Sequence, residues 1–425
     1  MLTWDLFDAS GVPAICRPTG TPITSVRVVV NAGSLHEKVP GTAHFLEHMF
    51  FKGSTLRGYE EVNRLAARLG NTNAYTCASR TVFLIETTQD KVSEALDLLL
   101  EMLLMPRLDP AEMEKERGVI LEEWRAGQDD PVGYLLHQAM SKVVPGPNGR
   151  PVIGTDESIK AITVQDLRDF QAANYTRQNL AIAIIGGTSR LDRSVVTKLV
   201  DKYDSLIPNG VRNEVPNTKM AFGGWDNPPQ FQLTHAAEQA GLTLWMPWVS
   251  MQEDLKTNFA SMVLTNMLGE GMHSMLFDRL REKSGLCYAT GAGVMGSWDD
   301  GALMAYALLA PENVAQGLKE MQAVLMDVAQ GHFDDDLLQV SLANCLFSLA
   351  SSVEKASGWA YQFIDNFFYY VKVGLVPVVF QGFDFYFERL NMNGDQLRAN
   401  IIKVARKMVS EAVVVTMNAQ EPGNG

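Results

Sequence analysis

Two kinds of apolar pattern alternate along the 425 residues of the chain. Short runs rich in β-branched residues, such as 26–31, are typical of strands, whereas apolar positions at helical spacing in 59–69 indicate an amphipathic helix. These criteria predict strands at 13–17, 26–31, 73–76, 81–87, 180–185, 242–248, 288–295, 301–309 and 413–417. They predict helices at 41–51, 59–69, 91–104, 110–127, 194–202, 255–267 and 273–283. Strands followed by long helices favour an α+β fold with helices packed on one face of a sheet.

The order of these elements occurs twice. Residues 89–96 resemble 311–318 at an offset of 222, and the pair 108–109 resembles 333–334 at an offset of 225. Two short matches at nearly equal offset indicate a duplicated α+β unit of about 200 residues.

A stretch between the two copies is rich in Pro, Gly and Asn and has no hydrophobic periodicity, which is typical of a domain boundary. We therefore expect an N-terminal domain at 1–208, a linker at 209–229 and a C-terminal domain at 230–425.

The chain carries 36 Lys and Arg against 49 Asp and Glu, a net charge of −13. This acidic balance argues against a nucleic-acid partner and against docking on anionic lipid. No apolar run reaches the roughly 18 residues that a membrane span needs, so we expect no membrane partner. The 4 cysteines form no CxxC pair, and no signal or transit peptide is visible, so a cytoplasmic location is expected. A periplasmic or organellar location stays open if a targeting segment has been removed.

The segment with the most specific chemistry contains His44, Glu47 and His48, in the order H-x-x-E-H. Positions i and i+4 lie about 40° apart around a helix, so both imidazoles project from one face and can supply half of a tetrahedral zinc site. Glu47 lies on the same side, where it can act as the general base on a metal-bound water. The alternative is a helix start with surface histidines. It is disfavoured because a chain with only 7 histidines rarely contains H-x-x-E-H by chance.

A third zinc ligand is expected on the predicted helix 110–127. Glu116 and Glu123 are separated by nearly two whole turns and share one face, whereas Glu122 points about 100° away. Val119 and Ile120 lie between them, so we expect this face to look inward. We choose Glu123 as the ligand and Glu116 as a carboxylate that holds a ligand histidine. A solvated acidic helix face is the alternative.

At this point the sequence resembles the M16 metallopeptidases, the family of insulinase, pitrilysin and the mitochondrial processing peptidase. The resemblance rests on four segments in both halves, GTAHFLEHMFFKGS, NTNAYTCASRTVF, KERGVILEE and LREKSGLCYATGAGV. It implies two duplicated α+β domains of the LuxS/MPP-like metallohydrolase fold, each a mostly antiparallel sheet with helices. In this family the third ligand lies about seventy-five residues beyond the second His, and Glu123 follows His48 by 75.

Two further elements carry over by position. Asn73, Ala74 and Tyr75 resemble the family's edge strand beside the zinc, to which an extended substrate peptide adds as a new strand. An ordinary half-buried strand is the alternative. Arg281 and Tyr288 resemble a pair that grips the substrate backbone and stabilises the oxyanion, although an Arg alone is more often a surface residue.

The second half has no zinc ligands of its own. At offset 225, Glu116 and Glu123 correspond to Ser341 and Ser348, and H-x-x-E-H does not recur. The glycine-bearing turn Gly269-Glu270-Gly271 is too short for a phosphate loop.

The resemblance implies a zinc-dependent endopeptidase that hydrolyses unfolded peptides or oligopeptides inside a dimeric clamshell chamber. Because the chain has both the zinc set and the Arg–Tyr pair, a homodimer is the simplest expectation, with a heterodimer with an M16 paralogue as the rival. The alternative function is that of a non-catalytic structural or partner subunit. A specialised enzyme of peptide or cofactor maturation would share the chemistry and differ in substrate.

Overall fold

A computed structural model describes the protein at residues 4–189, 191–214, 220–235, 239–249, 255–295, 301–372, 374 and 394–419. Residues 215–219 of the expected linker lie outside these ranges. The chain forms two compact units, and each contains one β-sheet.

Twelve strands lie within the described residues, and nine of them overlap a predicted strand, whereas Asp5–Ala9, Gly223–Gly224 and Gln230–His235 were not predicted. Their bounds are β1 Asp5–Ala9, β2 Val12–Arg17, β3 Thr21–Val30, β4 Gly70–Thr76, β5 Thr81–Thr88, β6 Leu180–Gly187, β7 Gly223–Gly224, β8 Gln230–His235, β9 Ala240–Pro247, β10 Cys287–Met295, β11 Ala302–Leu309 and β12 Glu411–Ala419.

The described α-helices include six of the seven predicted helices and several that the pattern did not predict. Their bounds are α1 Thr42–Phe50, α2 Tyr59–Leu69, α3 Val92–Leu104, α4 Pro110–Asp129, α5 Pro131–Val143, α6 Asp156–Ala161, α7 Val164–Asn174, α8 Arg193–Lys202, α9 Leu255–Gly269, α10 Val314–Gln330, α11 Asp335–Ser352, α12 Ala356–Phe363, α13 Phe367–Lys372 and α14 Gly394–Met408. The predicted helix 273–283 contains a π-helical segment, Phe277–Lys283.

The first sheet has six strands in the order β1-β2-β6-β3-β5-β4. β2 and β6 are parallel, and the other neighbours are antiparallel. In the described part of the chain β4 pairs with β5 alone, so its other side is an edge with unpaired backbone groups.

The second sheet has the order β10-β11-β9-β12-β7, with β8 parallel to β12. Its succession β8-β12-β9-β11-β10 repeats the succession β2-β6-β3-β5-β4 of the first sheet, including the one parallel pair. The predicted α+β class with two duplicated, mostly antiparallel units is therefore confirmed.

Each sheet is covered by helices on both faces. The sequence predicted helices on one face only. In the first unit, Phe45 and Leu96 belong to the core on one face, whereas Trp359 and Phe367 of α12 and α13 pack on the other. Strand β6 is consequently buried along all 8 residues. In the second unit, α5 covers one face, where Leu135 packs in a cluster with buried residues of β9 and β12.

This second layer makes both units discontinuous in sequence. The first unit comprises Met1–Arg125, Arg150–Pro216 and Ala350–Tyr386, and the second comprises Ala126–Gly149, Asn217–Leu349 and Phe387–Gly425. The expected division at 208 and 230 therefore differs from the compact units in two segments, since 126–149 belongs to the second unit and 350–386 to the first. The physical reason is that strands apolar on both faces need a cover on both, and each cover comes from the other half of the chain.

Within the described residues, no single helix combines the length and hydropathy of a membrane span. Only α11 and α12 meet that test, and they do so as a pair bent by 113°, on length and composition alone.

Candidate metal centre

The helix that carries both histidines, α1, begins where a buried carboxylate binds its free backbone N–H groups. Glu37 Oε1 accepts from the Gly41 backbone N at 2.7 Å, and Oε2 accepts from the Ala43 N at 2.9 Å. Gly41 has a φ of +91°, and a side chain there would meet the Ile153 carbonyl. Sequence reasoning missed Glu37; an acidic residue shortly before a helix start was the available signal.

Both predicted histidines lie on one face of α1. Their ring centroids are 4.7 Å apart, and the side chains of His44 and His48 are 13% and 21% exposed. Burial, followed by the proximity of His48, lowers the pKa of His44 to about 4. His44 is therefore neutral at pH 7, which is the form that binds a metal.

The predicted third ligand joins them from α4. Glu123 Oε1 lies 3.7 Å from His44 Nε2, and Oε2 lies 3.6 Å from His48 Nε2. Helix α4 is started by Asp109, whose Oδ1 accepts from the backbone N of Ala111 at 2.8 Å.

These residues fit a zinc ion. Ligands bound at about 2.0–2.2 Å in a tetrahedron lie roughly 3.3–3.6 Å from each other, close to the two separations above. The ligand atoms of His44, His48 and Glu123 all lie within 4.8 Å of one another, and this is the one such group of three or more in the described part of the chain. Two imidazoles and one carboxylate form the donor set of catalytic zinc sites.

One expectation about α4 is wrong. Val119 is 51% exposed, and the Glu123 side chain is 52% exposed, so this stripe does not face inward along its whole length. Glu116 and Ile120 are buried, whereas Glu123 lies nearer the solvent. The two glutamates are nearly two turns apart along the helix axis, so one end of the stripe lies in the core and the other lies at the surface.

Glu116, the carboxylate predicted to hold a ligand histidine, contacts His48. Its Oε1 lies 2.8 Å from His48 Nδ1, and its Oε2 forms an ion pair with Lys52. The Lys52 ammonium also lies over the Tyr59 ring, 5.0 Å from its centroid. With Nδ1 bound to Glu116, Nε2 of His48 is left to face Glu123. Sequence reasoning missed Lys52.

Glu47 is 8% exposed and receives a hydrogen bond of 2.7 Å from the Thr76 hydroxyl on β4. Burial raises the pKa of Glu47, and the hydrogen bond from Thr76 opposes this effect without cancelling it. A raised pKa makes a carboxylate a stronger base, which suits a group that accepts a proton. Thr76 was missed as a functional residue, since a single Thr in a strand carries no distinctive signal.

The predicted substrate strand is β4, which contains Asn73, Ala74 and Tyr75 and forms the edge of the first sheet. Asn73 is exposed, whereas Tyr75 is partly buried and donates a hydrogen bond to Asp365. One backbone edge of β4 is therefore unpaired in the described part of the chain, while the Tyr75 side chain is bonded to Asp365.

Arg281 and Tyr288 lie together in the second unit. Arg281 Nη1 donates to the Tyr288 carbonyl at 3.0 Å, and its guanidinium lies 5.1 Å from the centre of the Tyr288 ring. Tyr288 is 72% exposed. The five predicted residues of the metal centre are thus gathered in the first unit, and the Arg–Tyr pair is gathered in the second.

Comparisons with known proteins agree with this fold. A family model described as insulinase (peptidase family M16) matches residues 14–156, and one described as the peptidase M16 inactive domain matches 161–344. An uncharacterized zinc protease of Mycobacterium tuberculosis is 31% identical over 312 residues, which is 72% of this chain and 70% of that protein. An uncharacterized zinc protease of Mycobacterium leprae is 29% identical over 343 residues, 79% of this chain and 75% of that protein.

Solved structures share the fold. A protease from Helicobacter pylori has a TM-score of 0.81 at 22% identity and covers 98% of this chain and 100% of its own. A peptidase M16 inactive domain from Pseudomonas fluorescens has a TM-score of 0.81 at 19% identity, with 99% and 100% covered. The two family models and the relative at 31% identity show that the chain belongs to the M16 peptidase family.

Proposed function

We propose that this protein is a zinc-dependent endopeptidase whose metal is held by His44, His48 and Glu123. The observation that carries the proposal is the convergence of Glu123 of α4 on two imidazoles of α1, at 3.7 and 3.6 Å. The neutral state of His44 and the bond between His48 and Glu116 both favour metal binding.

When bound, Zn²⁺ supplies positive charge that acidifies a water molecule and polarises a peptide carbonyl. Glu47 takes a proton from the attacking water and later delivers it to the leaving amine. The Thr76 hydroxyl donates a hydrogen bond to Oε2 of Glu47 and so orients the carboxylate for this proton transfer. The low exposure of Glu47 keeps bulk water away from the proton that it moves.

The substrate class follows from the edge strand. An extended peptide can pair with the free side of β4 through main-chain hydrogen bonds, which tolerate many side chains. A segment inside a folded protein is already hydrogen-bonded and cannot pair in this way. The proposed substrates are therefore unfolded peptides or oligopeptides that align along Asn73, Ala74 and Tyr75.

We propose that Arg281 and Tyr288 stabilise the oxyanion by hydrogen bonding, since a guanidinium and a phenol are strong hydrogen-bond donors. We propose a homodimer, in which the pair of one copy acts at the metal centre of the other. Light scattering of the pure protein tests this assembly, and a monomer at working concentration that retains full peptidase activity would contradict it.

The decisive experiment for the function combines metal analysis with a single substitution. The purified chain should contain one zinc per chain and should cleave a quenched fluorogenic peptide until a chelator removes the metal. Glu47→Gln should retain the zinc and lose turnover, because the amide cannot accept the proton. Undiminished cleavage in Glu47→Gln, or a chain that binds no zinc, would refute the proposal.

A further inference from the structure

The edge strand β4 contacts different groups through its two faces. Successive side chains of a strand point to opposite faces, so Thr76 reaches Glu47 on one face while Tyr75 points to the other. One face of β4 therefore contacts the proposed base through Thr76, and the other face is bonded to the interior of the first unit through Tyr75.

On the second face, the Tyr75 hydroxyl donates to Asp365, which lies between α12 and α13. The side chain of Asp365 is fully buried, and its carboxylate forms an ion pair with Arg27 of β3. Arg27 is itself 3% exposed, donates to the Ser25 hydroxyl at 3.1 Å and donates to the Ser357 carbonyl at 3.0 Å.

The strand register places these groups on one face of the sheet. Arg27 is opposite Leu84 of β5, and Tyr75 is opposite Val82 of the same strand. Since Leu84 and Val82 are two residues apart, Arg27 and Tyr75 project from the same face, on either side of β5. Asp365 thus connects the interior strand β3 to the edge strand β4 across the strand between them.

This connection is a costly way to fill an apolar layer. Val82 on that face packs in a cluster with Trp359 and Phe367, and a buried ion pair there stabilises no more than well-packed apolar side chains would. A bond of defined direction to one hydroxyl does, however, specify where that hydroxyl lies. The network is therefore better suited to fixing the position of an edge strand, which has one neighbour to align it, than to adding stability.

We propose that Asp365 is a positioning residue for substrate binding, which acts through the Tyr75 hydroxyl to fix β4 where a peptide pairs with it. The inference rests on the proposed peptidase function. It assigns a role in the site to α12, α13 and the residues between them, which the first unit receives from the second half of the chain.

Tyr75→Phe tests the inference because it removes the hydroxyl and leaves the pair of Arg27 and Asp365 intact. Tyr203→Phe is the matched control, since Tyr203 is 3% exposed and also donates to an aspartate, Asp97, at 3.0 Å. Loss of one such bond is expected to speed amide hydrogen exchange in β4 about 5- to 10-fold and to raise KM for a quenched fluorogenic peptide by a similar factor.

In Tyr75→Phe, kcat should change less than about twofold and the zinc content should stay at the wild-type value, because the metal ligands are untouched. Tyr203→Phe should lower the thermal stability about as much as Tyr75→Phe does. It should leave both KM and the hydrogen exchange of β4 unchanged. A Tyr75→Phe variant with wild-type KM and wild-type exchange would overturn the inference. Failure of the wild-type protein to cleave any peptide would refute the peptidase function instead, and hydrogen exchange would still decide whether Tyr75 positions β4.

Discussion

Nδ1 of His48 lies 2.8 Å from Oε1 of Glu116, while Nε2 of the same ring faces Glu123 at 3.6 Å. When Nδ1 donates its proton to Glu116, Nε2 keeps the lone pair that can bind a metal. Lys52 forms an ion pair with the other oxygen of Glu116.

Replacing Glu116 should weaken zinc binding without removing a ligand. Glu116→Ala leaves Nδ1 of His48 without its acceptor, and loss of such a partner lowers metal affinity about 10- to 100-fold. Competition with a chromophoric chelator measures the affinity, and saturating zinc should restore most of the activity. Glu112→Ala, on the same helix and paired with Lys115 at the surface, is the control; equal affinities in the two variants would contradict the role of Glu116.

Glu123 and Glu122 are neighbours in sequence with different expected effects. Glu123→Gln removes the proposed ligand oxygen and should lower zinc affinity more than about 100-fold. Glu122 is exposed and pairs with Arg125, so Glu122→Gln should bind zinc like the wild type. Metal content after gel filtration distinguishes the two variants. Zinc loss in Glu122→Gln alone would show that Glu122, and not Glu123, is the ligand.

Thr76 is expected to control the rate of the chemical step. Thr76→Val removes the hydroxyl that binds Glu47 and keeps the shape of the side chain, so kcat should fall about tenfold with zinc content unchanged. Thr76→Ser retains the hydroxyl and should stay within about twofold of the wild type. The prediction fails if Val and Ser at this position give the same kcat.

Glu37 should make the stability of the protein depend on pH. Burial raises the pKa of Glu37 to about 7, against the opposing effects of backbone hydrogen bonds from Ala43, Gly41 and Thr42 and of the Arg150 charge. The folded state then binds the proton more tightly than the unfolded chain, so this stabilising contribution is complete below about pH 4.5 and is lost as the pH rises to about 7. By linkage the loss is about 3 kcal/mol.

Urea unfolding at pH 4.5, 6 and 7.5 tests this dependence. Other groups titrate in the same range, so the informative quantity is the difference between the wild type and Glu37→Gln, which cannot ionise. The free energy of unfolding of the wild type should fall relative to that of the variant as the pH rises. A constant difference across the range would show that Glu37 titrates normally.

Local patterns account for much of the fold. The bounds of α1 and α2 differ by at most one residue from the helices predicted at 41–51 and 59–69, because helix periodicity and terminal residues are local properties. The repeat at offsets near 222 is likewise seen in the structure, where a short 3₁₀ turn precedes both α3 and α10. The sequence did not indicate that α5 and α12 would each cover a sheet in the unit of the other half.

The same contrast holds within the site. The i, i+4 spacing of His44 and His48 by itself determined that two imidazoles share one helix face, and the helical period alone aligned Glu116 with Glu123. Only the tertiary structure decided that Glu123 approaches those imidazoles, that Glu37 caps α1, and that Thr76 binds Glu47. It also decided that Asp365 reaches Tyr75 across 290 residues of sequence. The physical reason is that spacing along one helix follows from backbone geometry, whereas contacts between distant elements depend on how their apolar faces pack.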